Sequence, residues 1–204
     1  FMKNLEKFMS ESIEEDIKNG DITSLSCIEK SKSTSAELIS KDEGIIAGIE
    51  LAKQIFEFNS TNLVFTRFVS DGEKIKNGQK LLSVSGNARE ILAKERFVLN
   101  SMQRMSGIAT KTKKFQNLIN HNNCKILDTR KTTPLNRIIE KWAVRIGGGT
   151  NHRFGLYDEI MIKDNHIDFN EDIQTTVKKT INYLKKNNLK YNIIVEVRSV
   201  DELK

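Results

Sequence analysis

The apolar positions of the chain change period once, near Gly86, and the two halves predict different elements. Ahead of Gly86 the apolar runs are short. Ile13 to Ile17 reads as an amphipathic turn stopped at Gly20, and Asp21-Ile22-Thr23-Ser24 as a turn or helix cap. Ala36 to Ile39 and Ile45 to Ala47 flank Lys41-Asp42-Glu43-Gly44 as the arms of a hairpin. Leu51, Ile55 and Phe58 have helical spacing. Asn62 to Val69 and Leu81 to Gly86 predict strands, separated by turns at Asp71-Gly72 and Asn77-Gly78. This half is a mixed α/β unit.

From Ala88 the period is helical. Ile91, Leu92, Glu95, Leu99, Met102 and Met105 describe one face of a long amphipathic helix. The chain then alternates. Lys125 to Thr129 predicts a strand, and Asn136 to Ile146 a helix with Ile138, Ile139, Trp142 and Ile146 on one face. Glu159 to Lys163 predicts a second strand, and Glu171 to Lys186 a helix with Ile173, Val177, Ile181 and Leu184 in line. Asn192 to Val197 predicts a third strand. Strand, helix, strand, helix, strand implies parallel pairing through right-handed crossovers, so this half reads as α/β and part of a barrel.

The ends of these strands hold the candidate chemistry. Arg130 and Lys131 follow the first, Lys163 the second and Glu196 the third. In parallel α/β folds the carboxyl ends of strands gather in one crevice. A single charged residue there says little, because strands end in water anyway; three in series point to a common mouth. Between them, Gly147-Gly148-Gly149 runs into Asn151-His152-Arg153. Such a glycine run permits left-handed backbone close to a ligand, or is simply a helix cap and a loop. Arginine adds a planar fork suited to carboxylate or phosphate.

Composition narrows the choice. The 204 residues are 38% apolar and 29% charged, too apolar for disorder and enough for one large domain or two modest ones. A net charge of +6 and a pI near 9.2 suit nucleic acid or an anionic small substrate. Aromatics are only 7% and do not interleave with arginine, which disfavours a stacking platform for single strands. Lys178, Lys179, Lys185, Lys186 and Lys190 read as a solvated helix face. No nucleic acid or membrane partner is expected: the apolar run Ile45 to Ile49 is far too short to span a bilayer. The first twenty residues carry five acids against three lysines, unlike a signal peptide. Cys27 and Cys124 lack metal or redox spacing, so a reducing cytoplasm is the expected compartment. Nucleotide-binding glycine motifs are absent, and His121, His152 and His166 are not paired at i, i+4.

Several ordered runs carry a resemblance. They are Asp128-Thr129-Arg130-Lys131-Thr132-Thr133-Pro134, Glu140-Lys141-Trp142-Ala143-Val144-Arg145-Ile146-Gly147-Gly148-Gly149, Asn151-His152-Arg153-Phe154-Gly155-Leu156 and Ile162-Lys163-Asp164-Asn165-His166. Upstream, Gly20-Asp21-Ile22-Thr23-Ser24, Glu95-Arg96 and Ser106-Gly107-Ile108-Ala109-Thr110 agree. The chain resembles the quinolinate phosphoribosyltransferases from about Leu5 to its end. It departs at Leu135, where the family usually has Gly after the Pro.

The resemblance implies an N-terminal α/β open sandwich with its connecting helix over residues 1–110, then an atypical α/β barrel from 111 to 204. The family continues through further strands, so the chain is expected to be a fragment with an incomplete phosphoribosyl site. The implied reaction joins quinolinate to phosphoribosyl pyrophosphate, giving nicotinate mononucleotide, CO₂ and pyrophosphate with Mg²⁺. Arg130, Arg153 and Lys163 would take the quinolinate carboxylates, and His152 and Lys131 would border both substrates. Glu196 would face ribose and metal, and Lys131, Lys163 and Glu196 form the catalytic set. Arg96 would reach a neighbouring subunit's site in a homodimer or higher homo-oligomer. The nearest alternative is a molybdenum-locus paralogue acting on another base, against which Ile162 to His166 argues. A non-catalytic binding module of the lipoyl or biotinyl type lacks its modifiable lysine here.

Overall fold

A computed structural model of the chain describes residues 2–60, 62–119 and 123–203, with His121 outside them. By packing they fall into two units, residues 1–152 and 153–204. In the first, helices α1 (Met2–Asp16) and α2 (Ile22–Cys27) lead into strand β1 (Ser33–Ile39) and the short β2 (Gly44–Ile45). Helix α3 (Ile49–Glu57) follows, then β3 (Val64–Arg67), β4 (Lys74–Ile75), β5 (Lys80–Asn87), the long α4 (Ala88–Leu118) and α5 (Arg137–Ile146). Residue 110, where the sequence reading divides the chain, lies inside α4.

One antiparallel sheet has the order β1-β5-β3, and β2 pairs with β4. The hairpin expected around Lys41 therefore does not form. The reason lies at Ser40, whose N–H donates to Gln79 O (2.9 Å) and whose carbonyl accepts from Gly78 N (2.9 Å). The turn at 78–79 takes the backbone groups a local hairpin would need, and β1 continues onto β5. The amphipathic turn expected at 13–17 belongs to a 15-residue helix. Leu5 and Met9, one turn apart, are buried, and Phe8 meets Phe97 with ring centroids 5.7 Å apart. Asp21 caps α2 as expected, its Oδ1 accepting from Thr23 N (3.0 Å) and Ser24 N (3.2 Å).

Helix α3 is gripped at both ends by charge. Asp71 Oδ1 accepts from Gly48 N (2.7 Å) and Ile49 N (2.8 Å). Burial pushes this carboxyl above its ordinary pKa, while the N–H groups pull it down. At the other end Lys94 Nζ donates to Phe56 O (2.9 Å) and Phe58 O (2.7 Å), and burial lowers the ammonium's pKa. Each charge opposes the helix dipole's sign at its end.

Helix α4 runs 31 residues, and its buried side matches the expected one only in part, at Ile91, Met102 and Met105. Leu92 and Glu95 are exposed; Ile91, Lys94, Val98, Met102, Met105 and Ala109 face inward. The rotation follows its partners. Thr110 Oγ1 accepts from Ile45 N (2.8 Å) and Ser106 Oγ from Ala47 N (3.0 Å). Four helical residues rise about 6 Å and two extended residues about 6.6 Å. Two hydroxyls at i, i+4 thus match alternate amides of an extended segment and act as its ladder partner.

The second unit holds β6 (Ile160–Ile162), α6 (Asp164–Asp168), α7 (Ile173–Lys186), β7 (Ile193–Val195) and α8 (Val200–Leu203). β6 and β7 pair in parallel, Ile160 opposite Ile193, as the crossover reading predicts. On α7 the apolar line is only partly right. Leu184 is buried but Ile181 is exposed, and Thr176 takes an inward position with its hydroxyl donating to Asp172 O (2.7 Å). Among the described residues no helix is long and apolar enough to cross a membrane.

Leu135 holds a left-handed backbone, φ 67°, and the residue is 86% exposed. The loop keeps a shape that favours glycine while carrying leucine. Left-handed geometry costs an L-residue roughly 1–2 kcal/mol, and glycine loses about half of that advantage to unfolded-chain entropy. Leu135→Gly is predicted to raise stability by roughly 0.5–1 kcal/mol. The urea midpoint measures it, and a lower midpoint would show that the leucine side chain contributes packing.

Candidate functional site

In the second unit the parallel pair brings two of the expected residues together. Ile162 lies opposite Val195 in the register, and Glu196 N donates to Ile162 O (2.9 Å), so the next residues of both strands emerge side by side. Lys163 Nζ sits 2.8 Å from Glu196 Oε2, with both side chains partly exposed. An ion pair this wet is worth at most about 1 kcal/mol, so either partner can turn to a competing charge. Lys163 also caps the turn behind it, its N–H donating to His166 Nδ1 (2.9 Å). Arg153 Nη1 donates to Glu159 O (3.3 Å) and borders a cleft of about 460 Å³ with Met161, Ile162, His166, Phe169 and Lys179.

The first unit carries Arg130, Lys131, His152 and Arg96. The strand expected at Lys125 to Thr129 is reduced to one parallel bridge, Leu127 to Thr150, with Thr150 N donating to Ile126 O (2.8 Å). It goes no further because Asp128 turns into a buried polar network. Its Oδ1 accepts from Lys141 Nζ and from His152 N (2.9 Å), and its Oδ2 accepts from Asn151 Nδ2. Lys141 Nζ also donates to His152 O (3.0 Å), and Asn151 Nδ2 to Lys141 O (2.8 Å). Only 1% of the Lys141 side chain and 7% of that of Asp128 reach solvent. The network fixes the backbone of His152 from both its N–H and its carbonyl.

Arg130 is half-buried, and its Nε is the one buried side-chain nitrogen or oxygen among the described residues without a hydrogen-bond partner. An unmet donor on a cation is costly, which makes it a receptor for an anion's oxygen. Lys131 is exposed, its N–H donating to Thr129 Oγ1 (3.0 Å). Arg96 is exposed on α4. The structure brings Lys163 together with Glu196, and it seats His152 on the Asp128 network.

The glycine run serves packing. A Cβ on Gly147 would lie 2.5 Å from Ala109 O, and one on Gly149 would lie 2.7 Å from Val144 Cγ1 and 3.0 Å from Thr112 Cγ2. Gly148 alone uses left-handed backbone, at φ 91°. The run caps α5 and turns into a loop, and Gly147 lets the end of α5 meet α4 backbone.

Residue patterns left Asp128, Lys141 and Asn151 without a role. A signal was present: Lys141 falls three residues after Ile138, on the apolar face of α5, where a cation needs a buried partner. Mg²⁺ finds little support in the donor set. No group of three or more His, Cys, Asp or Glu that could hold a metal is found among the described residues, and Glu196 faces Lys163. Such a set suits only an ion carried in on substrate phosphates.

The chain matches the family description "Quinolinate phosphoribosyl transferase, N-terminal domain" over residues 21–106 and its C-terminal counterpart over 108–204. It is 43% identical over 202 residues to a Nicotiana tabacum protein named quinolinate phosphoribosyltransferase (decarboxylating) 2b, mitochondrial, covering 98% of this chain and 57% of that protein. A probable nicotinate-nucleotide pyrophosphorylase (carboxylating) of Bacillus subtilis is 46% identical over 163 residues, 80% of this chain and 56% of its own length. The chain therefore spans somewhat more than half the length of these relatives. The structure of the nicotinate-nucleotide pyrophosphorylase from Francisella tularensis superposes with a TM-score of 0.87 at 38% identity, over 98% of this chain and 70% of that one. The fold is thus the expected α/β one, matching an N-terminal open sandwich followed by the first part of an α/β barrel.

Lys141→Ala is predicted to destabilise by about 3–5 kcal/mol, because Asp128 is left buried and unpaired. Lys131→Ala, at an exposed position, should change stability by less than about 0.5 kcal/mol. Chemical denaturation of both variants checks the contrast, and equal effects would mean that the network is solvated.

Proposed function

Since the chain belongs to the quinolinate phosphoribosyltransferase family, we propose that the complete protein transfers phosphoribosyl from its pyrophosphate to quinolinate with loss of CO₂, a step of NAD biosynthesis. The products are nicotinate mononucleotide, CO₂ and pyrophosphate. The observation that supports this most directly is the unmet, buried Nε of Arg130, which suits a carboxylate oxygen.

The roles follow from charge. Both substrates are polyanions, and taking anions out of water is costly unless cations and hydrogen bonds replace the solvent. In this reading Arg130, Arg153 and Lys163 take the quinolinate carboxylates, and Lys131 and His152 border both substrates. The pyridine nitrogen attacks the anomeric carbon as the pyrophosphate oxygen leaves with the bonding pair. Positive charge builds on the ribose, and Glu196 can stabilise it once Lys163 turns to a carboxylate. The pyridinium then accepts the electron pair released as the adjacent carboxylate departs as CO₂, and a proton replaces it on the ring. Positioning and electrostatics account for such a reaction without a protein nucleophile. Mg²⁺ belongs to the proposal only as a companion of pyrophosphate.

A homodimer or higher homo-oligomer is part of the same proposal, with Arg96 serving the neighbouring subunit's substrates. So is the cytoplasm: Cys27 and Cys124 are exposed and free, whereas the tobacco relative is named as mitochondrial.

Carboxyl-labelled quinolinate and phosphoribosyl pyrophosphate given to the complete protein should release labelled CO₂. Turnover of another base without CO₂ would overturn the substrate assignment. Arg130→Ala should weaken quinolinate binding by about 2–5 kcal/mol, with Arg130→Lys recovering part, since an ammonium is not a fork. For the shared site, inactive Arg96→Ala is mixed with inactive Arg153→Ala under conditions of subunit exchange. Random mixing makes roughly half the dimers mixed, so about a quarter of all pockets regain every residue. No recovery despite exchange would assign Arg96 to its own chain.

A further inference from the structure

The residues that present Arg130 and Lys131 are held by a side-chain clamp outside the candidate site. Glu140, in the first turn of α5, is only 6% exposed. Its Oε1 accepts from Arg104 Nε (3.0 Å) and Nη2 (2.9 Å), and its Oε2 accepts from Thr133 N (3.3 Å). The same Arg104 Nη2 donates to Thr133 Oγ1 (3.2 Å). Thr133 is thus bound through both backbone and hydroxyl by one carboxylate–guanidinium unit. Closer to the site, Arg137 Nε donates to Thr132 Oγ1 (3.0 Å) and its Nη2 to Arg130 O (3.3 Å). None of these bonds uses the side chain of Arg130 or Lys131.

We propose, resting on the activity inferred above, that Glu140 locked by Arg104 is a positioning residue that sets the 130–133 loop and so aims Arg130 and Lys131 at the anionic substrates. The chemistry demands a carboxylate there. Three donors converge on Glu140, and only a group with two acceptor oxygens satisfies them all. Glutamine would turn an NH₂ toward either the guanidinium or the Thr133 amide. Arg104 presents Nε and Nη2 side by side to one carboxylate oxygen, a fixed planar fork that a lysine ammonium, a point charge on a flexible stem, does not reproduce. The clamp joins α4 to the loop, so the loop inherits the rigidity of a 31-residue helix. Holding a reactive cation within a fraction of an ångström is what rate and affinity need from such a support.

The test uses the complete protein with Glu140→Gln, Arg104→Lys and Arg104→Met. Two readouts are taken: amide hydrogen exchange at residues 131–133, and steady-state kinetics with quinolinate. Glu140→Gln should speed exchange at Thr133 about tenfold, as expected for losing one net hydrogen bond, and raise KM for quinolinate by about as much. The kcat should change less than KM, and Arg104→Lys should fall between wild type and Arg104→Met. A variant that melts at lower temperature with unchanged exchange and unchanged KM overturns the proposal, leaving a purely structural pair. Arg104 is half-exposed, so Arg104→Lys decides the matter if Glu140→Gln does not fold. Wild-type protein that does not turn over quinolinate overturns the proposed activity instead, and exchange at Thr133 then decides the loop assignment alone.

Discussion

The first unit depends on how closely other backbone can approach α4. On one side the segment from Gly44 to Gly48 lies against it, with Ser106 and Thr110 supplying the hydrogen bonds that a neighbouring strand would give. A Cβ on Gly48 would meet Met102 Cγ at 3.1 Å and Met105 Sδ at 3.2 Å. On another side Gly147 meets the carbonyl of Ala109. Small residues and hydroxyls at 106, 109 and 110 therefore answer two separate close contacts, and a bulkier residue at any of them would push out a whole element. That geometry gives the Ser106 to Thr110 run a physical meaning apart from its value as a family mark.

Two ion pairs in the chain show how burial assigns work to charge. Lys141 and Asp128 are sealed from water and joined to Asn151 and His152, so their bonds define one backbone arrangement. Breaking such a pair strands a charge, and it behaves as part of the frame. Lys163 and Glu196 meet in the open at the ends of two strands, where water competes for both. The first pair resists exchange of partners and the second invites it.

Local periodicity made much of this legible. The helices at Leu51 to Phe58, Asn136 to Ile146 and Glu171 to Lys186 and the parallel strands before Lys163 and Glu196 all occur near their expected positions. What spacing could not announce was choice of partner. Ser40 bonds to 78–79, Leu5 and Phe8 find cover beyond their own helix, and α4 turns its Lys94 side inward to reach the carbonyls of α3. The candidate residues were named by motif, but their support was not. Asp128, Glu140 and Lys141 read as ordinary charges until burial shows which partner each one needs.

The hydroxyl ladder also governs when this unit can assemble. Ile45 and Thr110 are 65 residues apart along the chain, and Ala47 and Ser106 are 59 apart. The helix carrying the hydroxyls can form from neighbouring residues, and its extended partner can pair with β4, but the two hydroxyl bonds wait until a loop of that length has closed. Closure is an entropic toll met before any reward, and chains dominated by such distant pairings fold slowly. Until then the amides of residues 45 and 47 stay in water and the helix keeps an uncovered apolar side. Once that loop has closed, the two amides and the apolar side of the helix are covered together.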